Sequence, residues 1–214
     1  MVIFPRSVSK ITTGFSMLIS LDGMANSCVD IELLGRLRKV TSYPVSYSGG
    51  VSNLEQLHIA FDVGADRVVV NRMLNEKLRE VERFTNLVGR QGVVGSFDIT
   101  INKMGDCFIK TIDCIVPLDI DHIVEVSSIV GEINLGLIDW EGTIKPNSYD
   151  KILFILLELI QKINCPITLY GGSSWFNYHS LITDSSHKIS VMVDNILSYK
   201  EDSVNEFSKK LKNM

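Results

Sequence analysis

The amino-acid sequence predicts an α/β protein whose parallel strands and helices form a (β/α)8 barrel, and three observations lead there. Apolar strand-like runs alternate with helix-length segments in units of roughly 25–45 residues, the rhythm of a parallel sheet covered by helices. A strand, a Gly-Gly turn, a helix and a second strand ending in Asn occur twice, at Tyr43–Asn71 and at Cys165–Asn195. An apolar strand ending in Asp precedes each copy, in Leu18–Gly23 and Leu135–Gly142. The Gly-Gly pairs begin at 49 and 171, the asparagines stand at 71 and 195 and the aspartates at 22 and 139, so the offsets run from 117 to 124 residues. A solenoid repeats at roughly 20–50 residues; this longer period fits two half-barrels related by duplication. The 214 residues suit one short barrel domain spanning 1–214.

Taken in order, Met1–Lys10 reads as a partial helix or a replaced leader, and its MVIF is apolar enough to supply a surrogate strand. Phe15–Leu21 is the first strand, closed by Asp22, and Ala25–Asp30 is a polar loop. Ile31–Val40 follows as a helix with Ile31, Leu34, Leu37 and Val40 on one face. Tyr43–Tyr47 is a strand, Ser48–Gly50 its turn, and Arg67–Val70 the strand that leads to Asn71. Asn71 or Asn75 caps one helix running to Leu87, with Leu78, Val81 and Phe84 at three-residue spacing. Gly92–Phe97 is a strand ending in Asp98, and Cys107–Ile112 alternates like a hairpin strand after a turn at Met104-Gly105-Asp106. Asp119 or Asp121 caps a helix to Val130. Glu132–Ile138 is a strand, Tyr149–Ile163 an apolar helix, Ile189–Val193 a strand and Glu201–Lys212 an amphipathic tail.

Composition narrows the function classes. Apolar residues make up 45% of the chain and the net charge is −4, which allows a large core and gives no electrostatic reason for nucleic-acid or membrane-surface binding. The most apolar run, Ile152–Ile160, contains Glu158 and is too short for a bilayer span. Cys28, Cys107, Cys114 and Cys165 have no metal-ligand or redox spacing, so reduced thiols in a cytoplasmic protein are expected. His58, His122, His179 and His187 are scattered, and neither a metal nor an organic cofactor is expected.

Glycines between a strand and a helix let backbone N–H groups approach an oxyanion. Gly49, Gly50 and Asn71 form one candidate phosphate site; Gly171, Gly172 and Asn195, with Gly142 and Thr143 of the WEGT loop, form the other. Asp98 and Asp139 are the candidate general acid and base. Asp98 is the stronger of the two, because Val93–Phe97 carries it on a strand. Any one of these residues serves equally well as a turn former or helix cap. Four polar strand ends (Asp22, Asn71, Asp98, Asp139) together with two Gly-Gly turns favour a ligand face at the strand C-termini.

These residues resemble a known family. SGG followed by a helix and GADRVVVN, a strand ending in FD, then LIDWEGT and a later YGGSS, resemble the cyclase subunit of imidazole glycerol phosphate synthase, from about Phe15 to the C-terminus. The related phosphoribosyl isomerase of the same histidine pathway shares the barrel, and the LDG at Leu21–Gly23 leans toward it. The resemblance implies a (β/α)8 barrel of duplicated halves that acts as a lyase and cyclase on a ribulosyl aminoimidazole carboxamide intermediate with a phosphate at each end. It implies ammonia delivered by a glutaminase partner in a heterodimer, with Asp98 as the catalytic aspartate and Arg67 and Glu132 as members of the charged ammonia gate. Two further readings stand beside it: a paralogue paired with an amidotransferase for surface-polysaccharide sugars, and a non-catalytic barrel that binds such a partner.

The sequence also departs from the family pattern. Asp113-Cys114 stands where the family has Gly-Gly, GGSS where GGAG is usual, Asn195 where a small hydroxyl residue is usual, and Met17 where the gate has an acid. Because Asp98 and Asp139 are 41 residues apart, the matching first-strand aspartate is expected 41 residues before Asp22, ahead of Met1. The expectation is therefore a barrel incomplete at its N-terminus, with impaired activity.

Overall fold

The computed structural model describes residues 16–102, 104–111, 113–138, 149–171 and 189–192. By contact these residues form two compact units, one comprising 16–96 and 126–132, the other 97–125 and the described residues from 133 onward.

In the first unit the elements are β1 (Ser16–Ile19), α1 (Leu21–Asn26), α2 (Ile31–Val40), β2 (Val45–Ser48), α3 (Leu54–Val63), β3 (Arg67–Val70), α4 (Arg72–Glu76), α5 (Leu78–Val88) and the start of β4 (Val93–Ile101). The strands pair in parallel in chain order, with Ser16 opposite Val45, Ser46 opposite Arg67 and Val68 opposite Val93. Strands covered on both faces read as continuous apolar runs, which is why Val68, Val69 and Val70 are all buried. Helices α1, α2 and α3 start where a short polar side chain takes an orphan backbone N–H. Ser20 accepts from Gly23, Asp30 from Leu33 and Asn53 from Gln56. Helix α5 turns Val81 and Phe84 inward, and Phe84 meets the rings of His58 and Phe61.

Four expectations change in this unit. The first strand does not end in Asp22: the Ser20 cap starts a helix at Leu21, so Asp22 lies exposed in the first turn of α1, and that helix takes in Ala25 and Asn26 of the expected polar loop. Helix α2 has the expected ends, but only Leu34 and Leu37 of its apolar row are buried, while Ile31 and Val40 are 54% and 78% exposed. Strand β2 starts at Val45 rather than Tyr43, which is 50% exposed. The single helix expected after Asn71 is two helices, broken at Lys77, whose φ of −140° and ψ of 39° lie outside helical geometry; Asn71 occupies the cap position without a side-chain capping bond.

The second unit holds the rest of β4, then β5 (Cys107–Lys110), β6 (Ile115–Pro117), the first turns of α6 (Ile120–Ile129), β7 (Glu132–Leu137) from Ile133, α7 (Tyr149–Lys162), β8 (Ile167–Tyr170) and β9 (Ile189–Val191). Asp119, rather than Asp121, caps α6 by accepting from the His122 N–H at 3.1 Å. Strands β7, β8 and β9 are parallel, with Gly136 opposite Tyr170 and Leu169 opposite Val191. Strand β4 does not stop before Asp98. Its parallel pairing with β3 reaches Gly95, and the chain continues as one arm of an antiparallel hairpin in which Asp98 faces Lys110 of β5. Asp98 thus lies just past the carboxyl end of the parallel section, inside a nine-residue strand.

The two units are the α/β class expected of a (β/α)8 barrel: parallel strands alternating with helices, with a hairpin inserted after β4. The tail Glu201–Lys212 and most of the second Gly-Gly unit lie outside the described residues.

The fully buried Tyr47 locks α1 and α2 to β2, because its hydroxyl accepts from the Asp30 N–H at 2.8 Å. Burial raises its pKa above the ordinary 10.0, against smaller opposing effects of the hydrogen bonds to Asp30 and Ser20. A phenol whose pKa is raised on folding stabilises the fold below its unfolded pKa and loses that contribution as pH rises through the folded value. Urea unfolding should therefore show stability declining above about pH 10. In Tyr47→Phe that alkaline decline should be weaker, with a loss of about 1–3 kcal/mol at neutral pH from the unpaired Asp30 N–H.

Candidate functional site

Side chains alternate across a strand, and the strand registers put the polar ones on a common face. In the first unit Ser46 stands opposite Arg67, two residues upstream of Ser48 and four upstream of Asn71 respectively. In the second unit Asn134 and Gly136 of β7 stand opposite Thr168 and Tyr170 of β8. Ser46 and Ser96 in the first unit, and Asn134 and Thr168 in the second, are buried polar residues on otherwise apolar strands.

Arg67 and Glu132, both expected at the gate, are brought together. Arg67 Nη2 lies 2.6 Å from Glu132 Oε2, with the side chains only 10% and 19% exposed. Each is the first residue of its strand. Asn71 follows the other end of β3, about 13 Å away at strand rise. The ion pair thus sits at the amino ends of the strands, and the candidate anion residues of this unit follow the carboxyl ends.

Gly49 and Gly50 have φ of 126° and 72°, which L side chains rarely adopt. A Cβ at Gly49 would collide with the Ser20 carbonyl, and one at Gly50 with the carbonyls of Cys28 and Gly23. The turn is therefore where the backbone around α1 packs onto the end of β2, and that packing alone requires both glycines. Asn71, half-buried, follows β3 directly. Gly171 repeats the arrangement in the second unit, with φ of 88° and a Cβ position that would collide with the Leu137 carbonyl. Asp139, Gly142, Thr143, Gly172 and Asn195 lie outside the described residues.

Asp98 has a partner that sequence reasoning missed. The Tyr170 hydroxyl donates to Asp98 Oδ1, joining positions 72 residues apart. Two signals for it were present: a phenol directly before the second Gly-Gly, where the first copy has Ser48, and a glycine inside the apolar run LGL. An isolated glycine in a strand marks close approach of another group.

Among the described residues, no cluster of three or more His, Cys, Asp or Glu is placed to hold a metal ion. What this arrangement can do chemically is present a half-buried carboxylate on a rigid strand, held by a phenol, beside a strand-end glycine.

Breaking a buried ion pair by removing one partner typically costs about 3–5 kcal/mol, whereas removing both is often neutral. Arg67→Met should thus lower the denaturation midpoint strongly, and the double variant Arg67→Met/Glu132→Leu should recover most of the loss. Equal losses in the single and double variants would show that the two residues are not coupled.

Comparison with known proteins agrees with this architecture. Residues 12–177 match the family model described as histidine biosynthesis protein. A Campylobacter jejuni chain provisionally named imidazole glycerol phosphate synthase subunit hisF2 is 27% identical over 169 residues, covering 74% of this chain and 62% of the relative. A Vibrio vulnificus chain provisionally named subunit hisF3 is 28% identical, covering 67% of this chain and 56% of the relative. The imidazole glycerol phosphate synthase subunit HisF of Prosthecochloris aestuarii is 27% identical over 198 residues, covering 88% and 76%. The match thus spans less than two thirds of the first two relatives and about three quarters of the third. With most of its length matched by one family model and its parallel βα units in place, the chain belongs to the histidine biosynthesis protein family.

Proposed function

We propose that this protein is a cyclase subunit of the imidazole glycerol phosphate synthase type. In this reading it uses ammonia from a glutaminase partner, as a heterodimer, to cleave and cyclise a ribulosyl aminoimidazole carboxamide intermediate carrying two phosphates. The observation that carries the proposal is the placement of Asp98: on a strand, just past the end of parallel pairing and held by a neighbouring side chain. That is the position from which a carboxyl can exchange a proton with a bound substrate. Gly49, Gly50 and Asn71 bind one substrate phosphate, and Gly171 with Gly142, Thr143, Gly172 and Asn195 the other. Asp139 is the second acid–base group. Neither a metal nor an organic cofactor takes part.

Arg67 and Glu132 are the gate through which ammonia enters, and their pairing at the amino ends of the strands supports that role. The carbonyl oxygen of the Asn134 side chain is buried with no hydrogen-bond partner among the described residues, a ready acceptor for a small N–H donor. In this reading the protein works as a single barrel domain in the cytoplasm.

One observation favours a second reading. Two relatives bear the numbered names hisF2 and hisF3, as additional copies would. On that reading the chain is a paralogue serving another amidotransferase, for instance in surface-polysaccharide sugar amidation, or a barrel that only binds such a partner.

Loss of a general acid or base typically costs on the order of 10²–10⁴ in rate. Asp98→Asn should lower ammonia-dependent cyclisation by that factor while leaving binding of the bisphosphorylated substrate, read by calorimetry, nearly unchanged. Turnover equal to wild type would remove Asp98 from the chemistry.

A further inference from the structure

We propose that Tyr170 is the positioning residue of Asp98 and that Gly136 exists to let it reach. The proposal rests on the acid–base reading of Asp98. In the sheet order β7 lies between β4 and β8. Neighbouring strands are about 4.8 Å apart, so a residue on β8 and one on β4 are separated by roughly 10 Å with a β7 side chain normally between them. The β7 residue in register with Tyr170 is Gly136. A Cβ there would stand 2.5 Å from both Tyr170 Cε2 and the phenol oxygen, so the phenol ring occupies the volume a side chain at 136 would take. The base of that side chain is fixed as well, because Gly171 packs its backbone on Leu137. Three strands therefore converge on one contact, the Tyr170 hydroxyl donating to Asp98 Oδ1.

The contact has two chemical consequences. It holds the carboxylate in one orientation for proton exchange with a substrate. It also favours the ionised carboxylate, because a hydrogen bond to the charged form stabilises that form. Lys110 faces Asp98 in register on β5, and its residue is exposed. Its charge is the same in wild type and in the variants below, so it cancels from the comparison.

The test follows the Asp98 carboxyl by carbon-13 NMR titration of the purified protein, in wild type, Tyr170→Phe and Gly136→Ala. Both variants should titrate at higher pH than wild type, with unchanged circular dichroism; Gly136→Ala reaches the same end by displacing the ring rather than removing the hydroxyl. In turnover assays Tyr170→Phe should lower kcat with little change in KM. An Asp98 titration identical in all three proteins overturns the positioning role directly. A shifted titration accompanied by full activity of Asp98→Asn overturns it through the acid–base reading instead, so the two failures are distinguishable.

Discussion

Backbone packed against glycine at the strand ends is the constraint on which both units depend. At Gly49 and Gly50 the backbone of Ser20, Gly23 and Cys28 fills the space where side chains would stand, and at Gly171 the Leu137 carbonyl does the same. At Gly136 the occupant is an aromatic ring. A β-carbon at any of these positions would have to push another segment away, and the left-handed φ values at 49, 50 and 171 add backbone strain. Gly49, Gly50 and Gly171 thus set how closely neighbouring backbone packs at the strand ends, and Gly136 makes room for the ring that reaches Asp98.

The second organising feature is polarity where a parallel sheet is normally apolar. Burying charge is costly unless it is paired, and Arg67 and Glu132 meet that condition with each other at 2.6 Å. Asp98 meets it with the Tyr170 hydroxyl. In the first unit the charge lies at the amino ends of strands. In the second it lies beyond the carboxyl end of parallel pairing.

Much of this was legible in the sequence. Helix α2 and strand β3 have the ends that periodicity assigned them, because a capping Asp30 and a Gly-Ala-Asp turn mark their starts. The resemblance named Arg67 and Glu132 together as gate candidates, and the structure joins them in an ion pair. The misses share one cause, that contacts between distant segments are not local in sequence. Asp22 read as a strand end because LISLD is apolar; the decisive group was Ser20, whose hydroxyl starts a helix first. Asp98 read as a strand end because the polar stretch after it resembles a loop, yet Ile99, Thr100 and Ile101 pair with the β5 strand that follows the turn. Tyr170 was passed over because its partner is 72 residues away and the glycine that permits the contact sits on a third strand. Of the two aspartates matched by duplication, Asp22 lies in a helix and Asp139 lies outside the described residues, while the Gly49 and Gly171 turns share a positive φ.

If Asp98, so held, serves ammonia-dependent chemistry as proposed, wild-type turnover will show it. Purified protein is supplied with the bisphosphorylated ribulosyl intermediate and ammonium salt, with and without a glutaminase partner, and the imidazole product is followed. Product should form at a rate that rises with ammonia concentration, with no need of glutaminase when ammonium is saturating. Substrate binding with no product under any of these conditions would contradict it and leave a barrel that binds without catalysing.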